Sequence, residues 1–261
     1  MRIVTFASGS SGNCCLISEG KANILIDAGI SMRRIVKCLA ECGMTPQDIC
    51  GVLITHEHSD HISGLSMLVK HHGVKLYAPR ELREVLVRNV PELSDYLNYI
   101  ELNKKCNIGG LDVTAFRTPH DSEFSAGYRI EGKSTFAFAT DTGSVTDSML
   151  AGLCGADAAI IEANHDVNML RNGPYPFFLK RRIFSDYGHL SNDDCGKLAL
   201  MLANSGTKHI ILGHLSRENN TPETAFSAVS AALCGMDVKL SVAPMNEISE
   251  IIIGEMEECL E

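Results

Sequence analysis

Apolar runs of five or six residues recur over the first 55 positions and predict β-strands at 2–6, 13–18, 23–27 and 51–55. Between the last two runs, apolar positions at helical spacing predict a helix at 31–42. Ser31 is the expected N-cap of this helix, and Gly43 follows its end. A further helix is predicted at 62–72, ended by Gly73, and another directly after Pro79.

The rest of the chain repeats this alternation. Strands are predicted at 97–101, 111–118, 126–130, 134–139, 157–161, 208–212, 237–242 and 248–253. Helices are predicted at 144–151, at 192–204 with Ser191 and Asp194 as a capping box, and after Thr221-Pro222. Because no linker interrupts this order, we expect one domain over residues 1–261. Its predicted class is α/β (α+β), with two packed sheets covered by helices.

Composition adds limits on location and partners. The chain has 261 residues, of which 45% are hydrophobic and 21% charged, and no apolar stretch reaches the length of a membrane span. The N-terminus reads as a strand and not as a signal peptide, so we expect a cytoplasmic protein without a membrane partner. Ten cysteines without a CxxC pair indicate free thiols.

Charge limits the way in which nucleic acid could bind. The net charge of −9 argues against a protein that coats nucleic acid non-specifically. It leaves room for an enzyme with a local basic patch, and the densest such patch is Lys180-Arg181-Arg182. Charge pattern alone favours reading this patch as a solvated helix face.

The most informative segment for chemistry follows the strand at 51–55. His56, His58, Asp60 and His61 place four metal-ligand side chains within six residues. In an extended segment His56 and His58 point the same way, whereas Asp60 and His61 point differently. One short loop can therefore supply two neighbouring ions, and imidazole with carboxylate suits zinc, manganese or iron.

Four more candidate ligands each follow an apolar run at a predicted strand end. They are Asp27, His120, Asp141 and His214. With His56-x-His58-x-Asp60-His61, this order resembles the metallo-β-lactamase superfamily, which implies a four-layer αβ/βα sandwich with two divalent ions, zinc or manganese. The resemblance implies that His56, His58 and His120 hold one ion and that Asp60, His61 and His214 hold the other. It further implies that Asp141 bridges the two ions and that Asp27 orients a ligand histidine.

Residues outside the ligand set resemble ribonuclease Z. The likeness lies in Glu162-Ala163, in Gly188-His189-Leu190-Ser191 and in His214-Leu215-Ser216. It implies that His189, held protonated by Glu162, acts as a general acid beside Asp60, which is expected to act in catalysis as well as in metal binding. From the motif alone, His189 could instead cap a helix.

The segments 8–13, 162–166, 171–176, 179–183 and 188–192 resemble the YycJ (WalJ) family. That resemblance implies a 5′-to-3′ exonuclease on double-stranded DNA. Only 72 residues separate Asp141 from His214, which leaves no room for the β-CASP insert of larger nucleases. The expected substrate contacts are Lys180, Arg181, Arg182, His165 and Ser216.

Two other functions stay open at this level. A small-molecule hydrolase acting on a thioester, lactone or cyclic phosphodiester would use the same ligands, and a non-catalytic module could keep the fold. The residues do not distinguish zinc from manganese or DNA from RNA. End polarity, oligomeric state and cellular pathway are also left undetermined.

Overall fold

Two seven-stranded sheets pack face to face in the computed structural model, which describes residues 1–254. Numbered along the chain, the strands are β1 Arg2–Ala7, β2 Cys14–Glu19, β3 Ala22–Ile26, β4 Gly51–Leu53, β5 Leu76–Pro79, β6 Leu97–Ile100, β7 Lys105–Ile108, β8 Leu111–Arg117, β9 Ala126–Glu131, β10 Thr135–Ala139, β11 Ala158–Glu162, β12 His209–Gly213, β13 Lys239–Val242 and β14 Ser249–Ile252. The first sheet has the order β14-β1-β2-β3-β4-β5-β6. The second has the order β13-β12-β11-β10-β9-β8-β7.

Helices cover both outer faces. They are α1 Met32–Glu41, α2 Ser59–Ile62, α3 Leu65–His72, α4 Arg80–Asn89, α5 Asp147–Leu153, α6 Val167–Asn172, α7 Phe177–Ile183, α8 Asn192–Asn204 and α9 Pro222–Ala232. Helices α1, α3 and α4 pack on the first sheet, and α5, α8 and α9 pack on the second. The predicted four-layer sandwich is confirmed. No helix within residues 1–254 is long and apolar enough to cross a membrane.

The apolar runs correspond to strands that are buried on both faces. In β3, Ile24 and Ile26 enter the core between the sheets, while Leu25 packs under the helices. In β12, Ile211 faces the inner core and Leu212 faces the helices. Because both faces of such a strand are covered, its sequence reads as a continuous apolar run and not as an alternation.

Four elements, β5, β7, α6 and α7, were not predicted, and one predicted helix is interrupted. Strand β5 has only four residues and ends in a proline, Pro79. The edge strand β7 is largely exposed and carries no apolar run, and α6 and α7 are too short for a clear period. The predicted helix at 62–72 contains all of α3 but only the last residue of α2, Ile62, and Gly64 lies in the break between the two helices. The Gly64 N–H donates to the Ala28 carbonyl, and a Cβ there would lie 2.2 Å from the Ile30 carbonyl oxygen. This close backbone contact separates the two helices.

The pairing directions bring one set of strand ends to a single edge. Strands β3 and β4 are parallel in the first sheet, as are β10, β11 and β12 in the second. Strand β8 runs in the direction of β10, because both pair antiparallel with β9. The residues that follow the carboxyl ends of these strands therefore gather at one edge of the sandwich.

Candidate metal centre and its surroundings

Three of the predicted ligands occupy a backbone conformation that is rare for residues other than glycine. Asp27, Asp141 and His214 have φ values of 60°, 54° and 54°. Asp27 and His214 directly follow β3 and β12, and Asp141 is the second residue after β10. Non-glycine residues in the left-handed region are uncommon and cluster at functional sites. Within residues 1–254 the remaining non-glycine residue with positive φ is Asn103. The strain thus lies mainly at this edge.

A first group joins His56, His58 and His120, with ligand atoms within 4.8 Å of one another. His56 Nδ1 lies 3.0 Å from the Thr55 hydroxyl, and His120 Nδ1 donates to the Gly188 carbonyl oxygen at 3.2 Å. His120 Nε2 lies 3.3 Å from His58 Nδ1. Burial lowers the pKa of His56 well below its ordinary value, so this ring is neutral and has a free lone pair.

A second group joins Asp60, His61 and His214, whose ligand atoms also lie within 4.8 Å of one another. His61 Nδ1 lies 2.7 Å from Asp27 Oδ2, and the Asp27 carboxylate also accepts from the Thr55 amide and hydroxyl, each at 2.9 Å. This arrangement turns His61 Nε2 toward the Asp60 carboxylate, 3.6 Å away. Asp27 therefore orients a histidine in the way that carboxylates behind metal ligands do.

Asp141 lies between the two groups. Its Oδ2 is 3.3 Å from His61 Nε2, and its Oδ1 is 3.3 Å from His214 Nδ1 and 3.9 Å from His120 Nε2. Burial would raise the pKa of Asp141, but the charge of His214 and of the other histidines lowers it well below the ordinary value. An ionised carboxylate thus faces both groups.

The donor set fits divalent cations. His56 Nε2, Asp141 Oδ2 and His214 Nε2 are buried and have no hydrogen-bond partner in the part of the chain that the structure describes. Buried polar atoms are costly when unsatisfied, and these three point into the histidine groups. Imidazole nitrogens and carboxylate oxygens are the ligands that zinc and manganese accept. Cations between these side chains would therefore satisfy the unpaired atoms.

Glu162, at the end of β11, connects His189 to His214. The Nδ1 atoms of both rings lie 2.8 Å from Glu162 Oε1, and Oε2 accepts from the amides of Thr142 and Leu190. Burial would raise the pKa of Glu162, but His189 and the hydrogen bonds lower it to about 2. Burial alone would lower the pKa of His189, whereas the Glu162 charge and hydrogen bond raise it.

Several contributors to this site were not singled out from the sequence. Asn13 Nδ2 lies 3.0 Å from His61 Nε2, and the Asn13 amide donates to the Asp60 carbonyl. A Cβ on Gly29 would lie 1.6 Å from that same carbonyl oxygen, so glycine is required there. The glycine-rich segment 8–13 was the available signal, but it did not reveal that Asn13 faces a histidine.

The predicted substrate contacts are not equally placed. Lys180 Nζ donates to the carbonyls of Arg171 and Gly173, and Arg182 pairs with Asp121, whereas Arg181 is exposed. His165 is buried with both ring nitrogens unpaired within residues 1–254, and burial lowers its pKa to about 4. The Ser216 hydroxyl is buried and accepts from the Asn219 amide at 3.3 Å. Of these five residues, Arg181 alone combines an exposed side chain with no hydrogen bond or ion pair of its guanidinium group within residues 1–254.

Comparison with known proteins agrees with this architecture. The model of the Beta-lactamase superfamily domain matches residues 22–215. Exodeoxyribonuclease WalJ of Streptococcus pneumoniae is 40% identical over 245 residues, covering 90% of this chain and 89% of that protein. Exodeoxyribonuclease YycJ of Bacillus anthracis is 37% identical and covers 87% of each chain. The crystal structure of the metallo-beta-lactamase fold protein YhfI from Bacillus subtilis superposes with a TM-score of 0.69 at 17% identity, over 95% of this chain and 99% of that one.

Proposed function

Because the chain belongs to the beta-lactamase superfamily, in the branch of the YycJ and WalJ exodeoxyribonucleases, we propose that it is a metal-dependent exonuclease. Its proposed substrate is double-stranded DNA, degraded from 5′ ends. The observation that carries the proposal is the Glu162–His189 pair beside the two histidine groups, in a chain 40% identical to a protein named exodeoxyribonuclease. The relatives do not favour the alternative of a small-molecule hydrolase.

The chain would hold two divalent ions, zinc or manganese. His56, His58 and His120 would bind one ion, Asp60, His61 and His214 the other, and Asp141 both. Bound there, the ions would lower the pKa of a water molecule and stabilise negative charge on phosphoryl oxygens. Asp27 would keep Nδ1 of His61 protonated, so that Nε2 stays available.

His189 is the proposed general acid. With Nδ1 bound to Glu162, its other ring nitrogen can face the substrate, and its side chain keeps 18% of its surface exposed. When water attacks phosphorus and the bond to the leaving oxygen breaks, His189 would give that oxygen a proton. The raised pKa of His189 supports this role, because the ring must be protonated before the step.

We also propose that residues 1–261 act as one domain in the cytoplasm. The inner core supports the single domain, since side chains of both sheets, such as Ile24 and Ile211, pack within it. The nine described cysteines are free thiols, as is usual in a reducing compartment, and this supports the location.

An activity panel tests the proposed function. The chain would be assayed on 5′-phosphorylated duplex DNA, 5′-hydroxyl duplex DNA, single-stranded DNA, RNA and methyl 4-nitrophenyl phosphate, with zinc and with manganese. We expect the fastest turnover on 5′-phosphorylated duplex, with mononucleotides released from that end, and loss of activity with a chelator. A thioester and a lactone would be assayed in parallel, and their turnover without any cleavage of nucleic acid would contradict the proposal.

A further inference from the structure

Helix α7 and the residues just after it expose four aromatic side chains. Phe177 and Phe178 are 80% and 75% exposed, and Phe184 and Tyr187 beyond the helix are 44% and 61% exposed. A cluster of large apolar side chains on a protein surface often marks a binding site, whereas single exposed apolar residues are common. Phe177 and Phe184 belong to one pocket of about 480 Å³, lined also by Arg171, Lys180 and Arg181; we call this the α7 pocket.

The α7 pocket adjoins the candidate metal centre. The Phe184 ring meets the His165 ring edge-on, with centroids 5.4 Å apart. Arg182 pairs with Asp121, whose Oδ1 lies 3.4 Å from His120 Nε2. The His189 amide donates to the Ile183 carbonyl at 3.1 Å. Helix α7 is therefore held directly beside the residues that we propose to act on the phosphodiester.

The charges of the pocket select the kind of ligand. Two guanidinium groups, those of Arg171 and Arg181, form no ion pair within residues 1–254, and Lys180 adds a third positive charge. Pockets of about 300–1,000 Å³ accommodate small organic groups. Aromatic faces stack on nucleobases, and free cations attract phosphates, so the combination suits single-stranded nucleic acid. In a protein of net charge −9, such a local positive surface complements a polyanion.

We propose that the α7 pocket holds an unpaired nucleobase of the substrate, close to the scissile phosphate, stacked on Phe177 or Phe184. Arg171 and Arg181 would bind the adjoining phosphates. The proposal rests on the nuclease function above and adds to it a requirement for unpairing. A base held in this pocket cannot remain paired in a duplex, so the end of the duplex must open before cleavage.

Steady-state cleavage tests this pocket. The substrates are 5′-phosphorylated duplexes that carry an abasic site at the first, second or third nucleotide, compared with the intact duplex. Phe177→Ala is compared with Phe226→Ala, which truncates a phenylalanine that is 41% exposed on α9 and does not line the pocket. Methyl 4-nitrophenyl phosphate, which has no base, reports on the catalytic groups. Sedimentation and thermal melting report on assembly and folding.

For the wild type, we expect KM to rise about five- to 150-fold at one abasic position, the range for loss of one base–aromatic stack. Phe177→Ala should raise KM for the intact duplex by a similar factor, so that its KM values for the intact and abasic duplexes become equal. Its turnover of methyl 4-nitrophenyl phosphate should equal that of the wild type. A terminal mismatch should speed cleavage by the wild type. If the wild type is active and its KM is the same for all abasic positions, the base-binding role of the α7 pocket is refuted and the nuclease function stands. The same conclusion would follow if Phe177→Ala changed the oligomeric state and left KM unchanged. An inactive wild type would instead refute the nuclease function.

Discussion

Replacing His189 by alanine separates metal binding from proton transfer. The substitution removes one of four hydrogen bonds to the buried Glu162 carboxylate, whose bonds to His214, Thr142 and Leu190 remain. Neither proposed metal-binding histidine group loses a member. We therefore expect metal content to be retained while kcat for DNA falls about 10²- to 10⁴-fold, or about 3–5 kcal/mol of transition-state stabilisation.

Substrates with different leaving groups test the same variant more sharply. DNA cleavage releases an alkoxide oxygen that requires a proton, whereas 4-nitrophenolate departs from a small phosphodiester without one. His189→Ala should therefore lose much more activity on DNA than on methyl 4-nitrophenyl phosphate. His71→Ala, which removes an exposed histidine of α3, is the matched control and should behave like the wild type.

Two results would refute the role of His189. Near wild-type turnover of DNA by His189→Ala would show that no proton passes through this ring. An equal loss on both substrates, with full metal content, would show that His189 positions the phosphate and does not protonate the leaving oxygen. Metal content by mass spectrometry and unfolding by circular dichroism would accompany the kinetics.

Three further substitutions test the surroundings of the site. Asp27→Ala removes the carboxylate that lies 2.7 Å from His61 Nδ1, and metal affinity measured by chelator competition should fall about 10- to 100-fold; unchanged affinity would count against the orienting role. Gly29→Ala places a Cβ 1.6 Å from the Asp60 carbonyl oxygen, so the free energy of unfolding measured in urea should fall by at least about 1–3 kcal/mol, and metal content should fall with it. A variant of normal stability would disprove the tight contact. Arg181→Ala should lower the slope of log KM for DNA against log salt by about 1 and leave turnover of the small phosphodiester unchanged. An unchanged slope would show that Arg181 does not contact a phosphate of the DNA.

Much of the fold could be predicted from the sequence alone. Helix α8 was predicted at its observed bounds, and the caps at Ser31, Ser191 and Thr221 are present. These features are local, because a cap involves residues three positions apart and a buried strand is a continuous apolar run. The edge strand β7 and the exposed helix α7 were missed, because neither buries enough apolar surface to leave a pattern.

The identity of the candidate ligands was also local information. His56, Asp27, Asp141 and His214 each follow a strand, and parallel strands bring such ends to one edge of a sheet. Residue type and position after a strand were therefore enough to select them. The roles of particular atoms were not available, because they depend on orientation between distant segments.

Only the tertiary structure decided those orientations. It joined Glu162 to His214 across 52 positions as well as to His189, tied Lys180 and Arg182 to neighbouring groups, and left Arg181 free beside an aromatic pocket. The sequence determined that the candidate metal ligands would gather at one edge of a two-sheet sandwich, since strand periodicity and the residue types at strand ends are local features of the chain. Which nitrogen faces which oxygen depends on packing between segments that are far apart in the chain, and local patterns carry no record of that packing.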